Sequence, residues 1–389
     1  MRDLLQLSLL REHESRLTDD FRMHDWITHA SQLEDWLRAH AATEQQPDRI
    51  FLDTEFMRTN TFLPRLALIQ ICVGGDIALV DAPAVTRFDA LRDRLRGERS
   101  VCVMHSASED LEALAPIVPE GPALLFDTQI AAAMVGLGAG LSYQKLVAAL
   151  LGLDIPKSET RSDWLQRPLT SAQLDYAAQD VVHLDRLHEL LAQKLAELGR
   201  GEWLAEDCRR LIERVRGGQA DTQPQRGFRA AADWSPTQQA LLRRLLLWRE
   251  DAARRFDKPR PWLLDDGSAL SLAAQPPAND NELFERTKGL RALRSAQRRE
   301  LLEVLQAPLS AADLAIAPIP AAPTSAEKRA LAAMKEAVDA IAASLDIPAA
   351  LLCARRHLEA LLADRSWPAA LEGWRRPLLH EALLARLPA

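Results

Sequence analysis

The stretch Ile50-Phe51-Leu52-Asp53-Thr54-Glu55-Phe56 reads as a buried β-strand that two carboxylates interrupt. Side chains alternate between the two faces of a strand, so Asp53 and Glu55 point the same way, about 6.6 Å apart along the strand. Two like charges on one face of an apolar strand repel each other and resist desolvation. A divalent cation such as Mg²⁺ would relieve both effects, because hard cations bind carboxylate oxygens. The alternative is a strand end at which both side chains face water, so a metal site requires further carboxylates elsewhere in the chain.

Length and composition are typical of a globular protein with two or three domains. The chain has 389 residues, of which 48% are hydrophobic and 26% charged. No apolar run approaches the roughly 18 residues of a membrane helix, so we expect no membrane partner. The four cysteines lie far apart and form no C-x-x-C pair. This spacing predicts neither a zinc site nor disulfides, and it favours a reduced, cytoplasmic protein.

The net charge of −7 is unevenly distributed. Residues 1–224 carry 24 basic and 35 acidic side chains, a net charge of −11, whereas residues 225–310 carry 15 and 11, a net charge of +4. Residues 311–389 carry nine of each. A protein that brings a polyanion to an acidic metal site would be organised in this way. Chance variation between solvated surfaces explains the division equally well.

Between Trp26 and Val135 the sequence alternates short apolar strands with helices. The segments that read as strands are residues 49–56, 65–73, 76–81, 101–105 and 124–127. Gly74-Gly75, between two of them, is a strong hairpin signal. Ser31 is the expected cap of the first helix, with Glu34 at the capping-box spacing. The segment predicts an α/β sheet of mixed direction with helices on its faces.

Three further side chains qualify as partners of Asp53 and Glu55. Asp110 falls in the first turn of a helix that follows the strand ending near His105, and ligands of open α/β sheets gather at the carboxyl ends of strands. The helix dipole favours an acid there in any case. Tyr176 and Asp180 are four residues apart on a largely apolar helix, so they share one face. A half-buried Tyr–Asp hydrogen bond would also explain that pair if it stood alone.

Together these placements are similar to the DEDD exonucleases of the tyrosine subtype, and the chain resembles the ribonuclease D family. The stretches that carry the resemblance are Asp53-Thr54-Glu55-Phe56, residues 64–70, Phe126-Asp127-Thr128-Gln129, residues 157–164 and Arg167-Pro168-Leu169. Residues 245–264 are similar to a first HRDC (helicase and RNase D C-terminal) module, and residues 326–389 to a more diverged second one. The match spans residues 24–389. Phe62 departs from the family pattern, in which tyrosine is expected.

The resemblance implies an α/β fold, in which a ribonuclease H-like mixed-sheet exonuclease domain precedes two small all-α HRDC-type helical domains. The expected boundaries are an unassigned N-terminal extension at 1–23, the exonuclease domain at 24–215, a linker at 216–233, the first helical domain at 234–310, a Pro/Ala-rich linker at 311–325 and the second helical domain at 326–389. The helix over residues 236–255 carries an apolar stripe, and its arginines are expected to face solvent or RNA.

The family's chemistry follows by the same resemblance. Asp53, Glu55 and Asp180 would hold one divalent cation, and Asp53 with Asp110 a second. The ions would be Mg²⁺, with Mn²⁺ as an alternative, and Tyr176 would orient the attacking water. Lys157, Arg161 and Phe62 are the expected substrate contacts, although ordinary loop charges explain the first two equally well.

The expected function is that of a 3′→5′ exoribonuclease that trims the 3′ ends of tRNA precursors and other small structured RNAs, releasing nucleoside 5′-monophosphates. The substrate class comes from the family and from no residue in the chain. A DNA 3′ exonuclease is a second interpretation, and an inactive nuclease fold that binds RNA as a scaffold is a third. We expect a cytoplasmic monomer, although the sequence itself does not fix the oligomeric state.

Overall fold

A mixed sheet forms the centre of the first half of the chain. The computed structural model describes residues 24–43, 48–155, 162–217 and 221–388. Within these ranges the sheet has six strands in the order β1-β4-β3-β2-β5-β6. Their bounds are β1 Asp25–Ile27, β2 Asp48–Met57, β3 Arg65–Val73, β4 Asp76–Asp81, β5 Ser100–Met104 and β6 Leu124–Asp127. The strands predicted from the sequence are therefore present, with ends that differ by one residue or not at all.

The pairing of the strands confirms the predicted mixed direction. β1 runs parallel to β4, β3 and β4 are antiparallel, and β5 runs parallel to both β2 and β6. The β3–β4 hairpin turns at Gly74 and Gly75, whose φ angles are +62° and +92°. Such angles are readily adopted only by glycine, which explains the pair. β2 lies inside the sheet, and its residues Ile50 and Leu52 are fully buried.

Eight helices accompany the sheet in the described ranges. They are α1 Ala30–Ala39, α2 Asp89–Arg96, α3 Ser108–Leu114, α4 Thr128–Met134, α5 Tyr143–Leu151, α6 Ser171–Val182, α7 Leu184–Glu197 and α8 Gly201–Val215. The predicted cap Ser31 is wrong, because α1 begins one residue before it and His29 is the cap. The Gln32 side chain accepts hydrogen bonds from the backbone N–H groups of Thr28 and His29, so the helix starts two residues earlier than Ser31 would allow.

The second half of the chain is helical. Its helices are α9 Pro236–Phe256, α10 Arg260–Leu263, α11 Asp266–Ala274, α12 Asp280–Thr287, α13 Ser295–Gln306, α14 Ala311–Leu314, α15 Ser325–Ser344, α16 Ala349–Leu352, α17 Arg355–Asp364 and α18 Arg376–Leu384. Leu242, Leu245 and Trp248 of α9 belong to one buried apolar cluster with Leu263 and Leu301. The stripe predicted for this helix therefore faces a core.

The segments predicted as linkers make ordered contacts within this helical half. The side-chain amide of Gln225 donates to the carbonyl of Ala317, and the Ile319 N–H donates to Oε1 of Gln239. Gln225 and Ile319 are both buried. The Pro/Ala-rich segment thus packs beside α9.

The described chain forms two compact units, and each unit is built from more than one segment of the sequence. The sheet unit consists of the chain up to Met57, Leu66–Val135 and Gly140–Val215. The helical unit consists of Arg58–Arg65, Gly136–Ala139 and the chain from Arg216 onward. The helical unit therefore includes two short segments that the predicted boundaries assign to the exonuclease domain.

In the part of the chain that the structure describes, no helix combines the length and the apolar character needed to cross a membrane.

Candidate active site

Three carboxylates from two elements meet at β2. Asp53 and Glu55 lie on one face of β2, and Asp180 lies on α6. One carboxylate oxygen from each residue lies within 4.8 Å of the corresponding oxygens of the other two. Asp180 is buried, whereas Asp53 and Glu55 keep partial access to solvent. The alternation of side chains along a strand and the inward face of α6 bring these acids together.

Asp110 joins the site from the first turn of α3. It is a buried residue, and its Oδ1 accepts a hydrogen bond of 2.6 Å from the Thr54 hydroxyl. Thr54 lies between Asp53 and Glu55 on β2, so this bond ties the fourth acid to the strand that carries the first two. Burial raises the pKa of Asp110 to about 6, against the lowering effect of the Thr54 hydrogen bond.

The other acids are also held in a state that resists ionisation. Burial, followed by the charges of Asp180 and Asp110, raises the pKa of Glu55 from 4.5 to about 9. Burial raises the pKa of Asp180 to about 7, with a further rise from the charge of Asp110. Burial and the three neighbouring carboxylates raise the pKa of Asp53 well above its ordinary value. Without a cation, the four acids therefore share protons at neutral pH.

This donor set fits hard divalent cations. The ligands are carboxylate oxygens, which Mg²⁺ and Mn²⁺ prefer, and their mutual repulsion is the interaction that a bound cation removes. The raised pKa values of the acids also indicate a cation site, because a positive charge at this position would favour the ionised form of each acid. The four predicted metal ligands are thus adjacent in the structure, and their chemistry suits the expected ions.

Tyr176 lies one turn before Asp180 on the same face of α6. Its hydroxyl donates a hydrogen bond to the Asp180 carboxylate. Burial, and then the charges of Asp180 and Glu55, raise the pKa of Tyr176 above its usual value of 10. The hydroxyl is therefore protonated at neutral pH and acts as a hydrogen-bond donor. The ring of Trp164, a buried residue, lies 6.0 Å from the Tyr176 ring and limits its movement.

Phe62, predicted as a substrate contact, lies in the part of the chain that belongs to the helical unit. Its backbone N–H donates to Oδ1 of Asp257 at 2.9 Å. The guanidinium groups of Arg254 and Arg260 lie against its ring, with their central carbons 4.9 and 4.7 Å from the ring centre. The structure thus gives Phe62 a packing role beside the end of α9. Lys157 and Arg161 lie outside the described residues, as does the predicted extension at 1–23.

The arginines of α9 are mostly engaged with acids of the helical unit. Arg244 pairs with Asp313 at 2.7 Å and also donates to the carbonyls of Ala307 and Pro308. The remaining pairs are Arg249 with Asp266, Arg254 with Glu250, and Arg255 with Asp251 and Glu300. The expectation that these arginines face solvent or RNA therefore fails for Arg244, which is largely buried and bonded within the unit.

Sequence reasoning missed Tyr143, which supports the helix of Asp180. The Tyr143 hydroxyl donates to the carbonyl of Gln179 at 3.0 Å and accepts from the N–H of His183 at 3.2 Å. These bonds hold the last turn of α6 in place. The signal was available, because the chain contains only two tyrosines and both belong to this site.

Comparisons with known proteins agree with the fold. A family model described as a 3′-5′ exonuclease matches residues 24–196, and one described as an HRDC domain matches residues 238–305. Ribonuclease D of Xanthomonas oryzae pv. oryzae is 42% identical over 371 residues, which cover 94% of this chain and 99% of that protein. Ribonuclease D of Pseudomonas paraeruginosa is 35% identical and covers 90% of this chain and 97% of its own length.

A solved structure extends the agreement to most of the chain. The crystal structure of Escherichia coli RNase D, described as an exoribonuclease involved in structured RNA processing, superposes with a TM-score of 0.80 at 28% identity. The superposition covers 94% of this chain and 98% of that one. The sheet, the acidic cluster and the matching family model define a 3′→5′ exonuclease. The chain belongs to the ribonuclease D family, and it is an exoribonuclease that acts on RNA. The fold class predicted from the sequence is confirmed.

Proposed function

We propose that this chain trims the 3′ ends of tRNA precursors and other small structured RNAs, and that it uses two divalent cations to do so. The observation that carries the proposal is the meeting of Asp53, Glu55 and Asp180 within 4.8 Å, with Asp110 bonded to the same strand. The preferred ion is Mg²⁺, with Mn²⁺ as the alternative. The products are nucleoside 5′-monophosphates.

The four acids are proposed as metal ligands, and Tyr176 is proposed to orient the attacking water. Asp53, Glu55 and Asp180 would hold one ion, and Asp53 and Asp110 would hold the other. When bound, the ions would supply Lewis acidity to the reaction. Tyr176 stays protonated and orients the water by hydrogen bonding, in exchange for the bond it now donates to Asp180. The water oxygen bonds to phosphorus as the bond from phosphorus to the 3′ oxygen breaks, and a proton from the water ends on that oxygen. The terminal nucleotide leaves as a 5′-monophosphate, and the shortened RNA keeps a 3′ hydroxyl.

Three other residues are proposed as substrate contacts. Lys157 and Arg161 precede α6 in the sequence, and we propose that they meet phosphates of the strand that is cut. Phe62 is partly exposed beside Arg254 and Arg260, and we propose that the exposed part of its ring contacts a base.

The helical unit is proposed to bind folded RNA through arginines that follow α9 in the sequence. Arg291 and Arg294 lie in the connection between α12 and α13, and both are exposed. The guanidinium of Arg291 lies 5.4 Å from the centre of the Trp262 ring, an arrangement that suits stacking on a nucleotide. The match to an HRDC domain over residues 238–305 includes both arginines. Contacts of this kind read phosphates and shape more than sequence.

The reaction is tested with a tRNA that carries a 3′ tail and with DNA of the same sequence, each with Mg²⁺ or with EDTA. We expect mononucleotides to leave the 3′ end of the RNA only in Mg²⁺, and no release by Asp180→Asn. Faster hydrolysis of the DNA would favour a DNA exonuclease. No hydrolysis of either substrate in Mg²⁺ or Mn²⁺ would favour an inactive RNA-binding scaffold.

The proposed grip is tested separately with Arg291→Ala/Arg294→Ala. Each phosphate contact contributes about 0.7–0.9 to the slope of log affinity against log salt. We therefore expect weaker tRNA binding and a slope that is smaller by up to about 1.8 for two such contacts. A matched control is Arg243→Ala, because the Arg243 side chain donates to the carbonyl of Thr222 within the helical unit. Equal slopes for the double variant and the wild type would contradict the proposed contacts.

A further inference from the structure

The carboxylate of Asp127, at the end of β6, accepts four backbone hydrogen bonds. Its Oδ1 accepts from Gln129 at 2.8 Å and Ile130 at 3.1 Å, and these bonds cap its own helix, α4. The same oxygen accepts from Ser106 at 3.2 Å, while Oδ2 accepts from Ala107 at 2.8 Å. The side chain is almost fully buried. One carboxylate therefore joins the start of α4 to the turn between β5 and α3.

Residues outside the turn between β5 and α3 supply the hydrogen-bond acceptors that stabilise it. Ser106 has a φ angle of +61°, a left-handed conformation that is unfavourable for a residue other than glycine. Ala107, the residue that precedes α3, has no side chain that can cap the helix. Asp127 supplies the missing acceptor to both residues. The neighbouring Thr128 hydroxyl also donates to the carbonyl of Met104, the last residue of β5, so both the end of this strand and the turn are bonded to Asp127 and Thr128.

The turn determines where Asp110 lies. Asp110 is three residues after Ala107, and the first backbone hydrogen bond of α3 runs from Leu111 to the Ala107 carbonyl at 2.9 Å. A shift at Ala107 therefore moves the whole first turn of α3. Asp110 belongs to the second of the two proposed ion sites, whereas Asp53, Glu55 and Asp180 lie on β2 and α6.

We propose that Asp127 is a positioning residue that holds Asp110 in place for the second metal ion. The inference rests on the two-ion function proposed above. Asp127 is not one of the proposed metal ligands, and it acts through the backbone N–H groups of Ser106 and Ala107. Its loss should therefore weaken one ion site and leave the other almost unchanged.

The different roles of the two oxygens allow a selective substitution. In Asp127→Asn the remaining oxygen can stay at the Oδ1 position and accept from Ser106, Gln129 and Ile130, so the cap of α4 is kept. The amide nitrogen then replaces Oδ2 and places a donor against the N–H of Ala107. The bond that fixes the start of α3 is lost. Changes to partners that orient metal ligands typically weaken metal binding by 10- to 100-fold.

The experiment measures Mn²⁺ binding to the full chain by calorimetry and by electron paramagnetic resonance, without RNA. We expect two ions in the wild type. In Asp127→Asn we expect one ion to bind within about twofold of the wild-type affinity, and the second to bind at least tenfold more weakly. Hydrolysis should recover at high Mg²⁺ concentration. The control Asp265→Asn changes a capping aspartate of α11, whose carboxylate accepts from the Ser268 N–H, and it should leave both ions unaffected.

The outcomes separate the inference from the function on which it rests. A wild type that binds a single ion would overturn the two-ion proposal. A wild type with two ions and an Asp127→Asn variant with the same two affinities would overturn the role of Asp127, as would equal weakening of both ions. If Asp127→Asn does not fold, Asp127→Asn/Ser106→Gly is measured instead, because glycine relieves the unfavourable φ angle at position 106. That double variant should bind the second ion at least tenfold more weakly than the single variant Ser106→Gly, and equal affinities for these two proteins would overturn the role of Asp127.

Discussion

Replacing the ionisable carboxyl group of Glu55 with a neutral amide should stabilise the metal-free protein. Its pKa rises from 4.5 to about 9 in the fold, so at pH 7 the folded state keeps a proton that the unfolded state has released. Folding stability therefore falls as pH rises from about 4.5 to about 9, by about 1.4 kcal/mol for each pH unit. At pH 7 this amounts to about 3 kcal/mol, as an upper bound because Asp53 and Asp180 share the repulsion.

The substitution Glu55→Gln keeps the size of the side chain and removes this cost. For a domain of this size, 3 kcal/mol corresponds to an increase in Tm of roughly 6–12 °C. Calorimetry in EDTA between pH 5 and pH 9 measures the effect. We expect the wild-type Tm to fall with pH more steeply than that of the variant. In saturating Mg²⁺ the order should reverse, since the variant lacks a metal ligand.

Glu98→Gln is the matched control, because it removes an exposed carboxylate from the same unit. It should leave the pH dependence of Tm unchanged. The reasoning would be refuted by a Glu55→Gln protein that unfolds in EDTA at or below the wild-type temperature at pH 7. It would also fail if the wild-type Tm were constant between pH 5 and pH 9.

Three further predictions concern the metal ligands, Tyr176 and Arg244. Asp53→Ala and Asp180→Ala should abolish hydrolysis while the Tm in EDTA stays equal or rises, and a fall of several degrees with activity retained would contradict the metal site. Tyr176→Phe keeps the ring and removes the hydroxyl, so single-turnover rates should fall about 10²-fold with little change in RNA affinity; near wild-type turnover would leave Tyr176 as a packing residue. Arg244→Ala removes the guanidinium that donates to Asp313 and to the carbonyls of Ala307 and Pro308, while Asp313 keeps its hydrogen bonds from Ser310. It should lower the free energy of unfolding of the helical unit by about 2 kcal/mol in urea titrations, with unchanged hydrolysis of short oligonucleotides, which need only the active site.

The parts of the fold that follow from local pattern were predictable. The strand from Ile50 to Phe56 had to place Asp53 and Glu55 on one face, because side chains alternate along a strand. The spacing of four residues between Tyr176 and Asp180 had to place them one above the other on a helix. Gly74-Gly75 marked the hairpin because both positions require positive φ. These relations depend on near neighbours in the sequence.

The parts that escaped prediction depend on distant partners. Arg244 looks like a surface arginine in the sequence, and only the approach of Asp313, 69 residues later, makes it part of the helical core. Asp127 and Ser106 are likewise 21 residues apart, and no periodicity links a helix cap to a second helix. Phe62 was assigned by family pattern, whereas its neighbours Arg254 and Arg260 follow almost two hundred residues later. Side-chain pairing over such separations is set by the tertiary fold.

The assignment of residues 58–65 to the helical unit has an evolutionary consequence. The chain leaves the sheet unit after Met57 and returns at Leu66, and the short excursion carries Phe62 into the guanidinium groups of Arg254 and Arg260. A helical unit transferred between relatives would therefore need to bring its own version of this excursion. A gene fusion at the junction near residue 216 would combine residues 58–65 of one parent with the helical unit of another, so position 62 would not match positions 254 and 260. Substitutions at position 62 are expected to covary with substitutions at positions 254 and 260, although these positions are distant in the gene.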